Sequence, residues 1–204
     1  PAEQGALAQV DGSDAPARLL LLAKNSAGYL RLCELLSSAY LVPRRHGRAE
    51  ISRAAIADGD NSGLIALSGA HLGDVGQLLL AGKEDKALAR AHEWAGLFPA
   101  GYYLEVQRYG QPQQELLVGR TVALAGAAGL PLVATHPIQF LDAADYTAHE
   151  ARVCIAEGYV LADTRRPKTF TEAQCFQSQD AMAALFADLP EALENSVAIA
   201  QRCN

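Results

Sequence analysis

Four short apolar runs punctuate a chain that otherwise reads as helix, and that alternation restricts the fold more than any other feature. The runs are Leu19 to Ala23, Gly63 to Ser68, Tyr102 to Gln107 and Leu132 to Ala134. Each is too short for a free-standing helix and reads as a strand, the first two and the last as buried ones. Helical sequence separates each run from the next. Strand and helix in alternation indicate a parallel sheet with right-handed crossovers. Four strands cannot close a barrel. A doubly wound sheet would carry a glycine fingerprint after its first strand, and none is present. The expected architecture is therefore the later part of a β/α barrel whose first strands lie upstream of Pro1.

The helical segments can be placed from caps and stripes. Asn25 is positioned to cap a helix in which Tyr29, Leu32, Leu35, Leu36 and Ala39 share a stripe, ending before Pro43. A short helix over Glu50 to Ala57 stops at the polar sequence DGDNSG. Asp74 opens a helix through Leu80, a second covers about Glu84 to Leu97, and a long one spans about Gln113 to Ala128 with Leu116, Leu117, Val122 and Leu124 on its buried side. Asp142 to Ala156 is helical, with His149 on its polar side. Two helices finish the chain, the first marked by Met182, Leu185 and Phe186. Asp188, Pro190 and Glu191 start the second, whose stripe is Leu193, Val197 and Ala200. Residues 1–17 lack periodicity and read as a flexible lead-in or a loop. Because Pro1 stands where an initiator Met would, the chain is expected to be a piece of something longer.

Charge and cysteine usage narrow the function classes. Seventeen Lys and Arg against 23 Asp and Glu give a net charge of −6, which is not the global footprint of a nucleic-acid binder, although local basic patches remain open. Cys33, Cys154, Cys175 and Cys203 form no C-x-x-C pair, which argues against a zinc knuckle and fits a reducing cytosol. The longest apolar run, Leu19 to Ala23, is far too short to cross a bilayer, so no membrane role is expected.

In α/β folds the carboxyl ends of the strands hold ligands and metals. Here the last run delivers Thr135, His136, Pro137, Ile138 and Gln139 in succession. The second run empties into Gly69, Ala70, His71, Leu72 and Gly73, which reads as a ligand loop or, more simply, as a tight turn before a helix. Glu105 sits within the third run, where it could be a base or ligand, with Arg108 offering an ordinary pairing partner. The basic turns Pro43 to Arg48 and Asp163 to Lys168 read as solvated loops, with phosphate contact the alternative for the first.

Several stretches together resemble one family. They are LLLLAKNSAGYLRL, SSAYL, GLIALSG, LPLVAT, TAHEARVCIAEG and, most specific of all, the closing AALFADLPEALENSVAIAQRCN. In order, over Arg18 to Asn204, they resemble the PHP (polymerase and histidinol phosphatase) region at the N-terminal end of bacterial DNA polymerase III alpha subunits. The resemblance implies an α/β fold: the C-terminal part of a seven-stranded PHP-type β/α barrel, with parallel strands and helical crossovers, ending in two helices. Residues 18–176 would be the partial barrel and residues 177–204 a helical segment leading towards the polymerase body. The first barrel strands, with their His and Glu ligands, and the palm with its polymerase aspartates would lie outside this chain.

Where the family's site is intact, metals held by His, Asp, Glu and Cys at the strand ends support phosphoester hydrolysis. The family pattern H-L-T-L-L-A falls on Arg18 to Ala23, so Arg18 stands at a His position. S-G-C falls on Ser68 to Ala70, placing Ala70 at the Cys. N-D-V-H falls on His136 to Gln139, placing Pro137 at the Asp and Gln139 at the second His. The resemblance thus implies no catalytic residue and no bound metal or other cofactor in this fragment, with magnesium belonging to the parent polymerase site. His71 and His136 are fallback weak ligands. Arg18 would also bring positive charge to a cation site, which opposes metal binding.

The implied parent is a DNA-directed DNA polymerase, a nucleotidyltransferase of DNA replication in the bacterial cytoplasm. The implied role of the fragment is an inert scaffold and a docking surface for the proofreading exonuclease subunit. Other polymerase III holoenzyme subunits would be further partners, and DNA would be met only through the parent. The alternative is an active metal-dependent PHP phosphoesterase or 3′–5′ exonuclease. A weaker third reading is a free-standing β/α hydrolase unrelated to replication.

Overall fold

The computed structural model describes residues 16–41 and 49–203. Most of the lead-in and the whole Pro43 to Arg48 turn lie outside the described residues. Strands β1 (Leu20–Ala23), β2 (Leu64–Leu67), β3 (Tyr102–Gln107) and β4 (Leu132–Thr135) lie side by side in chain order. From β2 onward the strands are parallel, with Leu67 beside Tyr103 and Glu105 beside Val133. Helices α3 (Asp74–Leu80) and α4 (Glu84–Leu97) make the crossover from β2 to β3, and α5 (Gln114–Ala128) the one from β3 to β4.

The first strand corrects the expectation of an all-parallel sheet: β1 runs antiparallel to β2, with Leu20 opposite Leu67 and Ala23 opposite Leu64. The cause lies in the connection. After β1 the Lys24 N–H donates to the Gly63 carbonyl at 2.8 Å, and the Asn25 side chain accepts from the Gly28 N–H at 3.0 Å. The chain therefore turns at the end of the sheet where β2 begins. Helices α1 (Ser26–Leu41) and α2 (Arg53–Ala57) lead out and return to that same end, so no crossover along the strand is made. With one neighbour among the described residues, β1 is also less buried than its composition suggests, and Leu20 is 46% exposed.

Strand alternation gives the sheet two faces. Leu64, Ala66, Tyr102 and Leu104 join Val75, Leu79, Trp94, Phe98, Leu117 and Leu124 in the larger core. On the opposite face Ile65, Leu67, Tyr103 and Val133 pack against Ile199 of α8 (Pro190–Arg202). Polar contacts fasten that helix: the Asn195 amide donates to the Leu132 carbonyl at 2.8 Å, and Arg202 donates to the Tyr103 hydroxyl at 2.7 Å and to the Ala100 carbonyl. Among the described residues no helix is long and apolar enough to cross a membrane.

Several helix faces differ from their apparent stripes. Helix α1 buries Gly28, Leu35 and Ala39 while Tyr29 and Leu36 are exposed, because backbone contact at Gly28 fixes which side meets the sheet. Helix α5 buries Val118, Thr121 and Ala125 with Leu117 and Leu124, and leaves Leu116 largely outside. His149 is buried on α6 (Tyr146–Glu157), its ring centroid 4.6 Å from that of Phe170 and 5.4 Å from that of Phe140, rather than on a polar side. Helix α8 buries Ala192 and Ile199, and Val197 is exposed.

At the start of α5, Gln113 adopts φ 64° with its side chain exposed. The left-handed region costs an L-residue roughly 1–2 kcal/mol, which glycine avoids. Gln113→Gly is therefore expected to stabilise the chain by about 1 kcal/mol, read as a melting temperature raised by about 2–4 °C.

Candidate functional site

The reversed direction of β1 has a direct effect on the site. The residues before β1 lie at the same end of the sheet as the C-terminal ends of the other three strands. The Arg18 N–H donates to the Leu72 carbonyl at 2.8 Å. Gly69, at φ 80°, would place a β-carbon 2.3 Å from the Arg18 carbonyl oxygen, so only glycine fits this approach. Arg18, Ala70, Pro137 and Gln139 all line one cavity of about 650 Å³ at this end, together with His71, Glu105, Tyr109 and Lys168.

Glu105 is the buried carboxylate of this cavity. Alternation along β3 places it on the same face as Tyr103 and Gln107. Its Oε2 accepts from the Gly69 N–H at 3.0 Å, and its Oε1 accepts from the Gln107 side-chain amide at 3.0 Å and from the Thr135 hydroxyl. Gln107 also donates to the Thr135 hydroxyl at 2.9 Å, and the Glu105 N–H donates to the Ser68 hydroxyl at 2.9 Å. The carboxylate thus ties β2, β3 and β4 together. Arg108, expected as its partner, instead forks onto Asp188 at 2.5 and 2.9 Å, reaches Glu115 at 3.1 Å and donates to the Leu185 carbonyl at 2.8 Å. Side chains alternate across the sheet, so the residue three positions after Glu105 points elsewhere.

That fork corrects the expected start of α8. Asp188 is not its cap: Leu189 holds that position and Pro190 begins the helix. The Arg108 hydrogen bond holds the Asp188 carboxyl below its ordinary value of 3.8. A lowered folded value means that the contribution to stability is whole above the unfolded value and is lost as pH falls through the folded one. Asp188→Asn is expected to destabilise the chain at pH 7, with the gap from the parent narrowing below about pH 3.8. Urea melts across that range would measure it.

The two fallback histidines line different cavities. His71 lines the larger one, with the Tyr109 hydroxyl 3.3 Å from its Nδ1. Burial, and then the nearby Arg18 charge, push the His71 pKa down, which favours the neutral ring. His136 lines a smaller cavity of about 340 Å³ beside Arg108 and Gln114, with its Nε2 2.7 Å from the Ala173 carbonyl oxygen. Pro137 and Gln139 are fixed by Gln174, whose side-chain amide donates to the Pro137 carbonyl at 3.1 Å while its main-chain carbonyl accepts from the Gln139 N–H at 2.8 Å.

As a metal centre this donor set fits poorly. A hydrolytic ion needs several converging anionic or imidazole ligands and an open position. Among the described residues, no three His, Cys, Asp or Glu side chains form a group able to hold an ion. Glu105 already accepts three hydrogen bonds, and Arg18 adds a cation to the cavity wall.

The PHP domain family model matches residues 4–109, just over half of the chain. The chain belongs to the PHP domain family. Its PHP sequence is 53% identical over 196 residues to a protein named DNA polymerase III subunit alpha from Neisseria meningitidis, covering 95% of this chain and 17% of that protein. Proteins of the same name from Pseudomonas aeruginosa and Escherichia coli K12 are 47% and 44% identical, over 92% and 91% of this chain and 16% of each relative. This PHP chain therefore spans about a sixth of the length of these relatives.

The PHP assignment covers β1 to β3 and the Gly69 loop. Sequence reasoning placed Arg18, Ala70, Pro137 and Gln139 at the site but missed the parts played there by Gln107, Thr135, Tyr109 and Lys168. For Gln107 a signal existed: in YYLEVQ it stands two residues after Glu105, on the same face. Thr135 stood at the end of the last run and Lys168 in a basic turn, but nothing in the sequence linked either to Glu105, since they approach from other elements.

Proposed function

We infer that this chain is the PHP region of a bacterial DNA polymerase III alpha subunit, and that within the subunit it is a non-hydrolytic scaffold. The observation that carries the inference is similarity running through more than nine-tenths of the chain to proteins of that name from three bacteria. The parent is a DNA-directed DNA polymerase of replication, working in the cytoplasm with magnesium on DNA. In the whole protein the four strands belong to a seven-stranded β/α barrel.

Two features support the non-hydrolytic reading. Arg18, Ala70, Pro137 and Gln139 supply no carboxylate, thiolate or imidazole, and the Glu105 carboxylate is engaged by protein donors. The scaffold docks the proofreading exonuclease subunit and meets other holoenzyme subunits, and the acidic balance of the chain fits protein contact better than a DNA groove.

Elemental analysis of the purified chain tests the first half. No stoichiometric zinc or manganese is expected, and a full complement would overturn the scaffold reading in favour of a PHP phosphoesterase or 3′–5′ exonuclease. Co-purification of the exonuclease subunit with the whole alpha subunit tests the second, and failure to associate would overturn it.

A further inference from the structure

The larger cavity is unusual in what its walls offer. Arg18 and Lys168 both line it, and neither has a carboxylate partner among the described residues. An Arg and a Lys without a carboxylate partner among the described residues, beside a concavity of about 650 Å³, form a binding feature of a size suited to a small ligand or a few residues of a chain. The rest of the wall is rich in amides, including Gln107, Gln111, Gln113 and Gln139, with apolar surface from Leu72 and Phe170. The side chains of Gln113 and Gln139 make no hydrogen bond among the described residues.

The floor limits which anion can enter. Glu105 lies there as a carboxylate, and the Gly69 N–H that could have cradled a phosphate oxygen is already donated to it. A dianion pressed towards Glu105 meets repulsion and finds that donor occupied. A single carboxylate meets Arg18 and Lys168 instead, whose exposed side chains stand on the cavity wall. Primary amides pair with both N–H and C=O groups, which is what a peptide backbone presents.

We propose that this cavity is a recognition pocket for an acidic peptide segment, one carboxylate held between Arg18 and Lys168 and the backbone met by the glutamine amides. The proposal rests on the non-hydrolytic reading above, since a metal cluster would fill the same space.

The test uses the full chain in the presence of EDTA, titrated with a capped tetrapeptide carrying one aspartate and followed by amide NMR shifts. Shifts that saturate at residues 69–72 and 168–171 are expected. A counterpart peptide with asparagine, and the double variant Arg18→Gln, Lys168→Gln, should each bind about tenfold more weakly, the scale of one charge-assisted contact. Raising the salt concentration should weaken the aspartate peptide more than its counterpart. Equal binding of the two peptides, an unaffected double variant, or inorganic phosphate binding more tightly than the aspartate peptide would each overturn the proposal. Both substituted residues are exposed, so the variant is expected to keep its fold. Because EDTA removes metal from the titration, the peptide result is read separately from the elemental analysis, which alone decides the non-hydrolytic reading.

Discussion

Gly28→Ala is expected to destabilise the chain by about 3 kcal/mol or more, the upper range for forcing extra atoms into a packed site. A β-carbon there would stand 1.9 Å from the Gly63 carbonyl oxygen and 2.6 Å from its carbonyl carbon. Both are backbone atoms, and that oxygen also accepts the Lys24 N–H at 2.8 Å. Relief would require α1 to lift from the start of β2, separating Leu35 and Leu32 from the main core. Thermal unfolding should show a melting temperature lower by about 6–12 °C or no cooperative transition. Gly126→Ala in α5 is the control, since a β-carbon there meets nothing within 4 Å. Alanine replaces glycine inside a helix with a gain of roughly 0.5–1 kcal/mol, so this variant should melt higher.

Glu105 carries the second large effect. Replacing it with leucine leaves the Gly69 N–H, the Gln107 amide and the Thr135 hydroxyl without their shared acceptor in a site only 6% exposed. Each unpaired buried donor costs roughly 1–3 kcal/mol, so a loss of about 3 kcal/mol or more is expected from Glu105→Leu. Glu105→Gln keeps one oxygen acceptor and should lose about 1 kcal/mol. Chemical denaturation of the two variants side by side separates loss of the acceptor from loss of the charge. Equal stability of Glu105→Leu and the parent would show that these strands are not joined through this carboxylate.

The strands were legible because runs such as GLIALS are buried on both faces, which leaves an uninterrupted apolar signature. Their direction was not equally legible. Nothing in LLLLA says whether the next strand runs alongside or against it. That is decided by where the connection ends, here by the Lys24 and Gly63 backbone contact. Helix faces failed in a similar way at Tyr29 and Leu36, where apolar residues share a stripe but a glycine determines the side that meets the sheet. At the site, Arg18, Ala70, Pro137 and Gln139 were singled out through family patterns, and all four line one cavity. The partners of Glu105 were not, because Gly69 and Thr135 lie 36 and 30 residues away along the chain. Arg108 paired across an even longer gap, with Asp188, 80 residues away.

The last helix has a consequence for how the molecule is made. Ile65, Leu67, Tyr103 and Val133 receive their cover from Ile199, and Arg202 reaches Tyr103 from 99 positions further along. A ribosome adding roughly 5–20 residues per second would therefore leave this face of the sheet bare for roughly 5–20 s after Tyr103 is joined. The nascent chain is an obvious client for a holding chaperone over that interval, and synonymous changes that slow translation between β3 and α8 should raise the fraction lost to aggregation.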